Sequence, residues 1–235
     1  AAVTSNVESI IYQTDFESGL PTGGGVIDGS NDGYTWSVLN PGGRTNANWT
    51  GKFMLVDSDW PGHVSMDEQL ITESIDCSRF RNIILNFKHY FRYYSYGAAE
   101  VGDVDIKAGG GVWQNAARFT GQDFSGLVQL NISEIADGQA DVRIRWHYYN
   151  ANFDWYWGID DVKLTASVDP VSGDFDADCS VKMRDFSLIA KKWLTDPCSS
   201  DWNPIFDISE PNDNFIDEYD LQVFISNWLE TNPVE

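Results

Sequence analysis

The sequence predicts two domains in tandem, an antiparallel β-sandwich over residues 1–167 and a small all-α domain over residues 168–235. The sandwich is predicted by apolar residues that alternate with a period of two, in short segments separated by Gly-rich turns without helical patterns between them. The helical domain is predicted by an acidic loop followed by a helix, a pattern that occurs twice. The segment 168–173, Val-Asp-Pro-Val-Ser-Gly, is the predicted linker.

The alternation is clearest in two segments, where every second residue is apolar or aromatic. One face carries Val142, Ile144, Trp146 and Tyr148 in the first segment, and Phe87, His89 and Phe91 in the second. Further candidate strands are Ile10–Phe16, Tyr34–Val38, Lys52–Val56, Gln69–Glu73, Val101–Lys107, Gly126–Ile132 and Trp155–Leu164.

The first acidic loop has carboxylates at positions 1, 3, 5 and 12 of a twelve-residue window, the spacing of an EF-hand calcium loop. Calcium needs six to eight oxygen ligands, and acids at alternate positions of a short loop turn inward around one point. The predicted ligands are Asp174, Asp176, Asp178, Ser180 and Asp185. The alternative is an acidic turn before a helix.

A helix is predicted over Asp185–Trp193, because Phe186, Ile189 and Trp193 fall on one helical face. The pattern returns 35 residues later, where Asp220 again precedes a Trp-Leu pair by eight residues. One amphipathic helix cannot bury its apolar stripe alone, whereas two repeats can face each other. The predicted ligands of the second loop are Asp207, Asp213, Phe215, Asp217 and Asp220, with Glu210 or Asn212 as alternatives.

Residues 170–230 resemble a dockerin domain with an expanded second loop, which implies two calcium-loaded loop–helix units in an extracellular protein. Cys179 stands where the family usually has Gly, and Lys182 is a poor neighbour for calcium. At the positions that help recognise a cohesin in cellulosomal dockerins, this chain has Met183-Arg184 and Glu218-Tyr219. These are not the pairs of small hydroxyl-bearing residues that are usual there. The resemblance therefore implies calcium binding more strongly than it implies a cohesin-like partner. Another surface protein is the alternative partner.

The formal net charge of −21 argues against nucleic acid and anionic membranes as partners, since both need basic patches. Residues 168–235 alone carry 15 acidic and 4 basic residues, which fits a surface that binds divalent cations. The sequence has no apolar run of the ~20 residues that a membrane span requires. A secreted or cell-surface protein is the resulting expectation.

Two of the three cysteines, Cys179 and Cys198, lie in the predicted small domain. A disulfide between them would close a loop of about 20 residues, which is worth roughly 3 kcal/mol in the chain-entropy model. A small extracellular domain gains from such a bond, so we predict it, with two unpaired thiols as the alternative. Cys77 is predicted to be buried and free.

The two ends of the sandwich carry acidic residues in strand-like sequence. Asp160 has the same parity as Val162 and Leu164, so its carboxylate is predicted to face inward, where it needs a partner or a metal. If the first and last strands pair, Glu17 and Asp160 meet around one calcium ion. Asp15, Asp59 and Asp161 are lesser candidates, and a paired arginine is the alternative.

Residues 9–165 resemble a jelly-roll module of the MAM, cleaved-adhesin or choice-of-anchor-J kind. The motifs are Phe16-Glu-Ser-Gly-Leu-Pro21, Leu70-Ile-Thr-Glu-Ser-Ile-Asp76, Gly110-Gly-Val-Trp113 and Trp157-Gly-Ile-Asp-Asp-Val162. The resemblance implies an extracellular, non-catalytic domain with a structural calcium near its first and last strands. Related jelly rolls include carbohydrate-binding modules, and others contact proteins.

Two aromatic clusters are the best candidates for a ligand site, because sugar rings stack on aromatic faces. The predicted platform is Tyr93, Tyr94, Tyr96, Tyr149 and Trp155. The alternative is that these aromatic residues belong to the core, as strand aromatics often do. The sequence has no Gly-x-Ser-x-Gly and no His-Glu-x-x-His motif, so it supports no enzyme class.

The resulting prediction is a non-catalytic secreted or cell-surface module that binds a polysaccharide or cell-surface glycan through the jelly roll. The calcium-stabilised tail would serve attachment or assembly. Two alternatives remain open: a structural or adhesive protein that binds protein, and an accessory region of a larger extracellular hydrolase or peptidase.

Overall fold

A computed structural model describes residues 8–47, 49–62, 64–96, 99–168, 171–176 and 180–230. The chain divides into two compact units, Ala1–Ser167 and Val168–Glu235. None of the helices in the described ranges is long and apolar enough to cross a membrane.

The first unit is a sandwich of two five-stranded antiparallel sheets. Its strands are β1 (Glu8–Thr14), β2 (Gly25–Asp28), β3 (Met54–Asp57), β4 (Ser65–Ile71), β5 (Phe80–Phe91), β6 (Val101–Ala108), β7 (Gln114–Phe119), β8 (Phe124–Asn131), β9 (Val142–Asn152) and β10 (Tyr156–Val168). Sheet A has the order β1-β10-β5-β8, with β3 also paired to β10, and sheet B has the order β2-β4-β9-β6-β7. The only helix described in this unit is α1 (Ser133–Ala136).

The first and last strands of the sandwich pair with each other, in a register that places Thr14 opposite Val162. Further back along β10, Tyr156 to Ile159 pair with β3. The long strand β10 therefore pairs with both β1 and β3, and it brings Glu17 and Asp160 to the same end of sheet A.

Large aromatic side chains fill the space between the sheets. Trp146, Trp157, Phe87, Phe91 and Tyr148 are all almost completely buried. Phe87 meets Trp146 edge-on with ring centroids 5.7 Å apart, and Phe91 meets Trp157 at 5.8 Å, a geometry that aromatic pairs favour. The inward faces predicted from the alternation are confirmed for both segments.

His89 belongs to this core. Its Nδ1 accepts a hydrogen bond from Trp157 Nε1 at 3.2 Å, and burial lowers the pKa of His89 to about 4. A neutral imidazole that is committed to a core tryptophan serves packing, because its polar atom is satisfied there.

The strand prediction failed at the edges of sheet B. β2 and β7 were not predicted, because each is short and lies beside glycine or polar residues that break the alternation. The predicted strand Tyr34–Val38 contributes only an isolated bridge between Ser37 and Leu55. Edge strands pair on one side only, so a weak pattern is enough to form them.

The second unit contains α2 (Met183–Ala190), a 3₁₀ turn (Pro204–Phe206) and α3 (Glu218–Ser226). Both α-helices begin two residues before the predicted start, because Asp185 and Asp220 are the third residues of their helices. Ile189 and Phe224 are buried as the stripe predicts, whereas Phe186 and Trp193 are about 40% exposed.

Backbone hydrogen bonds connect the two loop–helix halves of this unit. Each half exchanges two backbone hydrogen bonds, of 2.8 to 3.1 Å, with the residues that follow the helix of the other half. The pairs are Val181 with Leu229 and Glu230, and Ile216 with Leu194 and Thr195. Equivalent partners are 35 residues apart, the same spacing as the sequence repeat.

Candidate functional sites

The first acidic loop brings three carboxylates together. Asp174, Asp176 and Asp185 each place one oxygen within 4.8 Å of the others. Asp185 is fully buried, and its two oxygens accept hydrogen bonds from the amides of Phe175, Asp176 and Lys182 at 2.8 to 3.1 Å. This carboxylate therefore ties the start of the loop to the start of α2.

The other predicted ligands of this loop have different outcomes. Ser180 is buried at the end of the loop, and Asp178 lies outside the described residues. Asp176 forms an ion pair with Arg184, whose Nε lies 2.9 Å from Oδ2. A bound cation would share Asp176 with this guanidinium group.

Asp220 repeats the role of Asp185 in the second loop. It accepts hydrogen bonds from the amides of Ile208, Ser209 and Asp217 at 2.7 to 2.9 Å. The amides that donate to Asp220 correspond in order to those that donate to Asp185, so Ser209 is equivalent to Asp176. Asp207 therefore takes the first position of the second loop. The extra residues of the longer loop therefore lie between Ser209 and the start of α3.

The remaining predicted ligands of the second loop are arranged less tightly. Asp207 is buried, and its Oδ1 has no hydrogen-bond partner among the described residues. The carboxylates of Asp213 and Asp217 instead accept from the amides of Phe215 and Tyr219, two residues further along the chain. In the described ranges this loop does not gather three carboxylates within 4.8 Å.

The predicted Cys179–Cys198 disulfide is not supported. Cys198 is an exposed free thiol in the turn after α2, where its amide donates to Asp196 Oδ1 at 2.9 Å. Cys179 lies outside the described residues. Cys77 is a buried thiol, and burial raises its pKa to about 12, so it is unreactive.

Three of the predicted ligand-site aromatics form one cluster at the surface, in which Tyr94 and Tyr96 are exposed and Trp155 is half-buried. Tyr94 meets Tyr96 and Trp155 edge-on, with ring centroids 6.0 and 6.5 Å apart. Tyr96 is 88% exposed, and the guanidinium carbon of Arg92 lies 3.6 Å from the centre of the Trp155 ring. The sequence prediction missed Arg92, although Arg92 directly precedes Tyr93 in the chain. We call Arg92, Tyr94, Tyr96 and Trp155 the aromatic patch.

The other two predicted aromatics have different neighbours. Tyr149 lies on the outer face of β9, where its hydroxyl donates to Asp103 Oδ2 at 3.0 Å and accepts from Arg118 at 3.2 Å. The amide of Tyr93 donates to Asp123 Oδ1. Tyr149 is therefore part of a polar network on sheet B.

Two buried carboxyl groups lie beneath the aromatic patch. Glu100 accepts a hydrogen bond from the amide of Tyr94, and Asp154 directly precedes Trp155. Both side chains are fully buried, and each has one oxygen without a hydrogen-bond partner in the described part of the chain. Burial, with a smaller contribution from the nearby Asp154 charge, raises the pKa of Glu100 to about 7.

Glu17 and Asp160 both hold the loop that contains Thr50, Gly51 and Lys52. The Lys52 amide donates to Glu17 Oε1 at 3.0 Å, and the Thr50 amide donates to the Asp160 carboxylate. Gly51 leaves no room for a side chain, because a Cβ there would lie 1.7 Å from Glu17 Oε1. The carboxylates of Glu17 and Asp160, the two predicted calcium ligands, thus both contact the segment 50–52.

Asp160 is 2% exposed, as its parity predicted, and burial raises its pKa to about 6. The alternative of a paired arginine does not hold in the described ranges, where Asp160 makes no ion pair. The nearby Lys88 binds Asp161 instead, at 2.6 Å. Asp59, one of the lesser candidates, is committed to Arg44 at 2.6 Å.

A groove of about 530 Å³ crosses the outer face of sheet A. It is lined by residues of β1, β5, β8 and β10, including Gln13, Asn86, Lys88, Asp161 and Lys163. The Lys88–Asp161 ion pair lies in it, and none of the lining residues is aromatic.

Solved structures with a similar fold were found. Two are the K3 and K1 cleaved adhesin domains of Lys-gingipain from Porphyromonas gingivalis W83. The K3 domain is 20% identical over 68% of this chain and 99% of its own, with a TM-score of 0.51. The K1 domain is 17% identical over 67% and 97%, also at 0.51. The structure of TmCBM61 in complex with β-1,4-galactotriose is 14% identical over 64% and 92%, at 0.46.

No protein-family model matches the sequence, and no curated protein matches it either. The gingipain domains support the jelly-roll interpretation of the sandwich at the level of the fold. They do not support the dockerin-like interpretation of the tail, which stays a prediction.

Proposed function

We propose that the protein is a non-catalytic secreted or cell-surface module whose jelly roll binds a polysaccharide or cell-surface glycan through the aromatic patch. The surface cluster of the exposed Tyr94 and Tyr96 with the half-buried Trp155 is the observation that carries the proposal. Contiguous aromatic patches at a surface often mark interaction sites, and rings set edge to face around an arginine offer both stacking surfaces and hydrogen-bond donors.

A glycan array probed with the full chain tests the proposal. Tyr96→Ala and Trp155→Ala should each lower the signal for the bound glycan at least tenfold, because each removes a stacking surface. Tyr34→Ala is the matched control, since Tyr34 is 44% exposed and lies outside the patch. Equal glycan binding by the wild type and both patch variants would rule out this surface as the site.

Adhesion to a protein is the second candidate, because the similar gingipain structures are described as cleaved adhesin domains. A chain that binds no glycan on the array but is retained on protein-coated surfaces through the same aromatic patch would favour it. Repeating the array in EDTA separates a calcium-dependent glycan site from one that needs no ion.

We also propose that the tail binds calcium in a dockerin-like manner, for attachment or assembly. The proposed ligands are Asp174, Asp176, Asp178, Ser180 and Asp185 in the first loop. Those of the second loop are Asp207, Asp213, Phe215, Asp217 and Asp220. The carboxylate cluster of the first loop and the unpartnered buried oxygen of Asp207 support this assignment. A cohesin-like or other surface protein would be the partner of such a domain.

A structural calcium at Glu17 and Asp160 is the third part of the proposal. Both carboxylates approach the loop at Gly51, and Asp160 is buried without an ion pair in the described ranges. A buried charge without a partner is costly, and a cation would offset that cost. Asp160→Asn should lower the melting temperature in calcium and make the sandwich less sensitive to EDTA. If the two proteins melt alike under both conditions, no calcium is bound there.

A further inference from the structure

A second group of three carboxylates lies in the sandwich, at the edge of sheet B. β2 ends at Asp28, which is directly opposite Glu68 of β4 in the antiparallel register. The following turn returns to β2, since Asp28 accepts from the amides of Asp32 and Gly33 at 3.2 and 2.7 Å. One oxygen each from Asp28, Asp32 and Glu68 lies within 4.8 Å of the other two.

This arrangement is unfavourable without a positive charge. Like charges directly opposite each other across two strands destabilise the pair, and Asp32 adds a third. Within the ranges that the structure describes, none of the three carboxylates forms an ion pair. The same sheet pairs its other buried acids with arginine, since Asp103 binds Arg118 and Asp105 binds Arg145, both at 2.7 Å.

Glu68 provides an independent observation that points to a ligand. Its side chain is 0% exposed, and its Oε2 has no hydrogen-bond partner in the described part of the chain. Its Oε1 accepts two long hydrogen bonds, from the amides of Ser30 at 3.4 Å and Asp67 at 3.2 Å, and the Thr35 hydroxyl lies near the same carboxylate. Buried carboxylate oxygens normally have close hydrogen-bond partners, and Oε2 has none among the described residues, so it is available to a cation.

The surrounding backbone keeps the three carboxylates in place. Trp36 Nε1 donates to the Glu68 carbonyl oxygen at 3.2 Å, and the Gly29 amide donates to the Asp67 carbonyl oxygen at 3.0 Å. A Cβ at Gly29 would lie only 2.2 Å from that oxygen, so this close approach of the turn to β4 requires glycine. The neighbouring Asp67 carboxylate does not add to the cluster, because it is bound to His147 Nε2 at 2.6 Å.

We propose that Asp28, Asp32 and Glu68 bind a divalent cation with the ligand preferences of calcium. Calcium accepts carboxylate oxygens in irregular geometry and keeps water in its shell where the protein supplies few ligands. The partly exposed Asp28 and the exposed Asp32 leave room for water on the outer side. The ion fastens β2, an edge strand of four residues, to β4. This site is separate from the sites under the proposed function and does not depend on glycan binding.

Native mass spectrometry of the full chain in calcium tests the proposal by counting bound ions. Asp32→Asn and Glu68→Gln should each bind one calcium ion fewer than the wild type. Asp67→Asn is the matched control, because it removes a negative charge from the same strand outside the cluster, and its count should equal that of the wild type. Asp32 is exposed, so Asp32→Asn tests the site even where Glu68→Gln does not fold.

Hydrogen exchange localises the ion. Calcium should slow amide exchange over residues 25–33 at least several-fold in the wild type and leave it unchanged in Asp32→Asn. The proposal is wrong if Asp32→Asn binds as many ions as the wild type, or if calcium does not protect residues 25–33. Loss of the first tail site, tested with Asp174→Asn, would lower the count without changing exchange at 25–33.

Discussion

Glu100 shows how a single buried carboxyl group can make the stability of the sandwich depend on pH. Burial raises its pKa to about 7 in the folded protein, against 4.5 for the unperturbed group. The folded state therefore holds this proton over a pH range in which the unfolded chain has released it. The stabilisation is complete below about pH 4.5 and is lost as the pH rises to about 7, at about 1.4 kcal/mol per pKa unit when the group is fully desolvated.

We therefore expect the melting temperature of the wild type in EDTA to fall between pH 5 and pH 8, and that of Glu100→Gln to fall less. Glutamine keeps the acceptor for the Tyr94 amide but cannot ionise. Glu134→Gln is the matched control, because Glu134 is exposed and its substitution should leave the slope unchanged. Calorimetry across the pH series is the measurement, and parallel curves for wild type and Glu100→Gln would contradict the prediction.

Gly158 is a residue at which the smallest substitution should destabilise the sandwich. A Cβ there would lie 2.5 Å from the ring of Trp49, a buried side chain that stacks on Phe53 with ring centroids 4.4 Å apart. Overpacking of this kind costs about 1–3 kcal/mol, so Gly158→Ala should lower the free energy of unfolding by that amount. Gly110→Ala should have almost no effect, because nothing lies within 4 Å of its Cβ. Urea denaturation of both variants compares them, and equal midpoints would show that Trp49 moves freely.

At the scale of elements, the helices of the tail are too short to be stable by themselves. They have 8 and 9 residues, and isolated helices below about 12–15 residues are marginal in water. If calcium fixes their loops, EDTA should increase amide exchange at least tenfold over Met183–Ala190 and Glu218–Ser226. The central strands β5 and β9 are the internal control and should stay protected. Unchanged exchange in the helices would mean that hydrogen bonds to Asp185 and Asp220 alone hold the loops.

The sequence predicted the central strands well and the edge strands of sheet B poorly, for a physical reason. Central strands such as β5 and β9 bury every second side chain, so burial forces the alternation that Phe87 and Trp146 display. The edge strands β2 and β7 bury little, so their composition is free to vary. The predicted helix starts were two residues late, because Asp185 and Asp220 bond backward to the loop from inside the first turn.

Candidate ligands could be predicted where they are close in sequence, and not where the fold brings them together. The spacing of Asp174, Asp176 and Asp185 in one loop is visible in the sequence. Glu68 joins Asp28 only through the β2–β4 register, which no local pattern encodes. The aromatic clusters were visible, but only the structure separates Tyr149 from the aromatic patch.

For the whole molecule, the net charge of −21 sets how stability responds to ions. Self-repulsion destabilises a compact state, and salt screens it. In EDTA we expect 0.5 M sodium chloride to raise the melting temperature by several degrees, and in calcium by less, because bound ions have already removed part of the repulsion. Choline chloride is the control that separates screening from sodium binding at the carboxylate clusters. A larger response in calcium than in EDTA would contradict this account.

The reciprocal pairing in the tail has a further consequence for how that unit responds to ligands. Val181, at the end of the first loop, forms backbone hydrogen bonds with the residues that follow α3. Ile216, at the end of the second loop, forms them with the residues that follow α2. When one loop binds calcium and becomes ordered, these hydrogen bonds also order part of the other half. The second calcium ion then binds with a smaller loss of conformational entropy. We expect positive cooperativity between the two loops in calcium titrations. A chain that ends before Ile216 lacks α3 and should not keep α2 either.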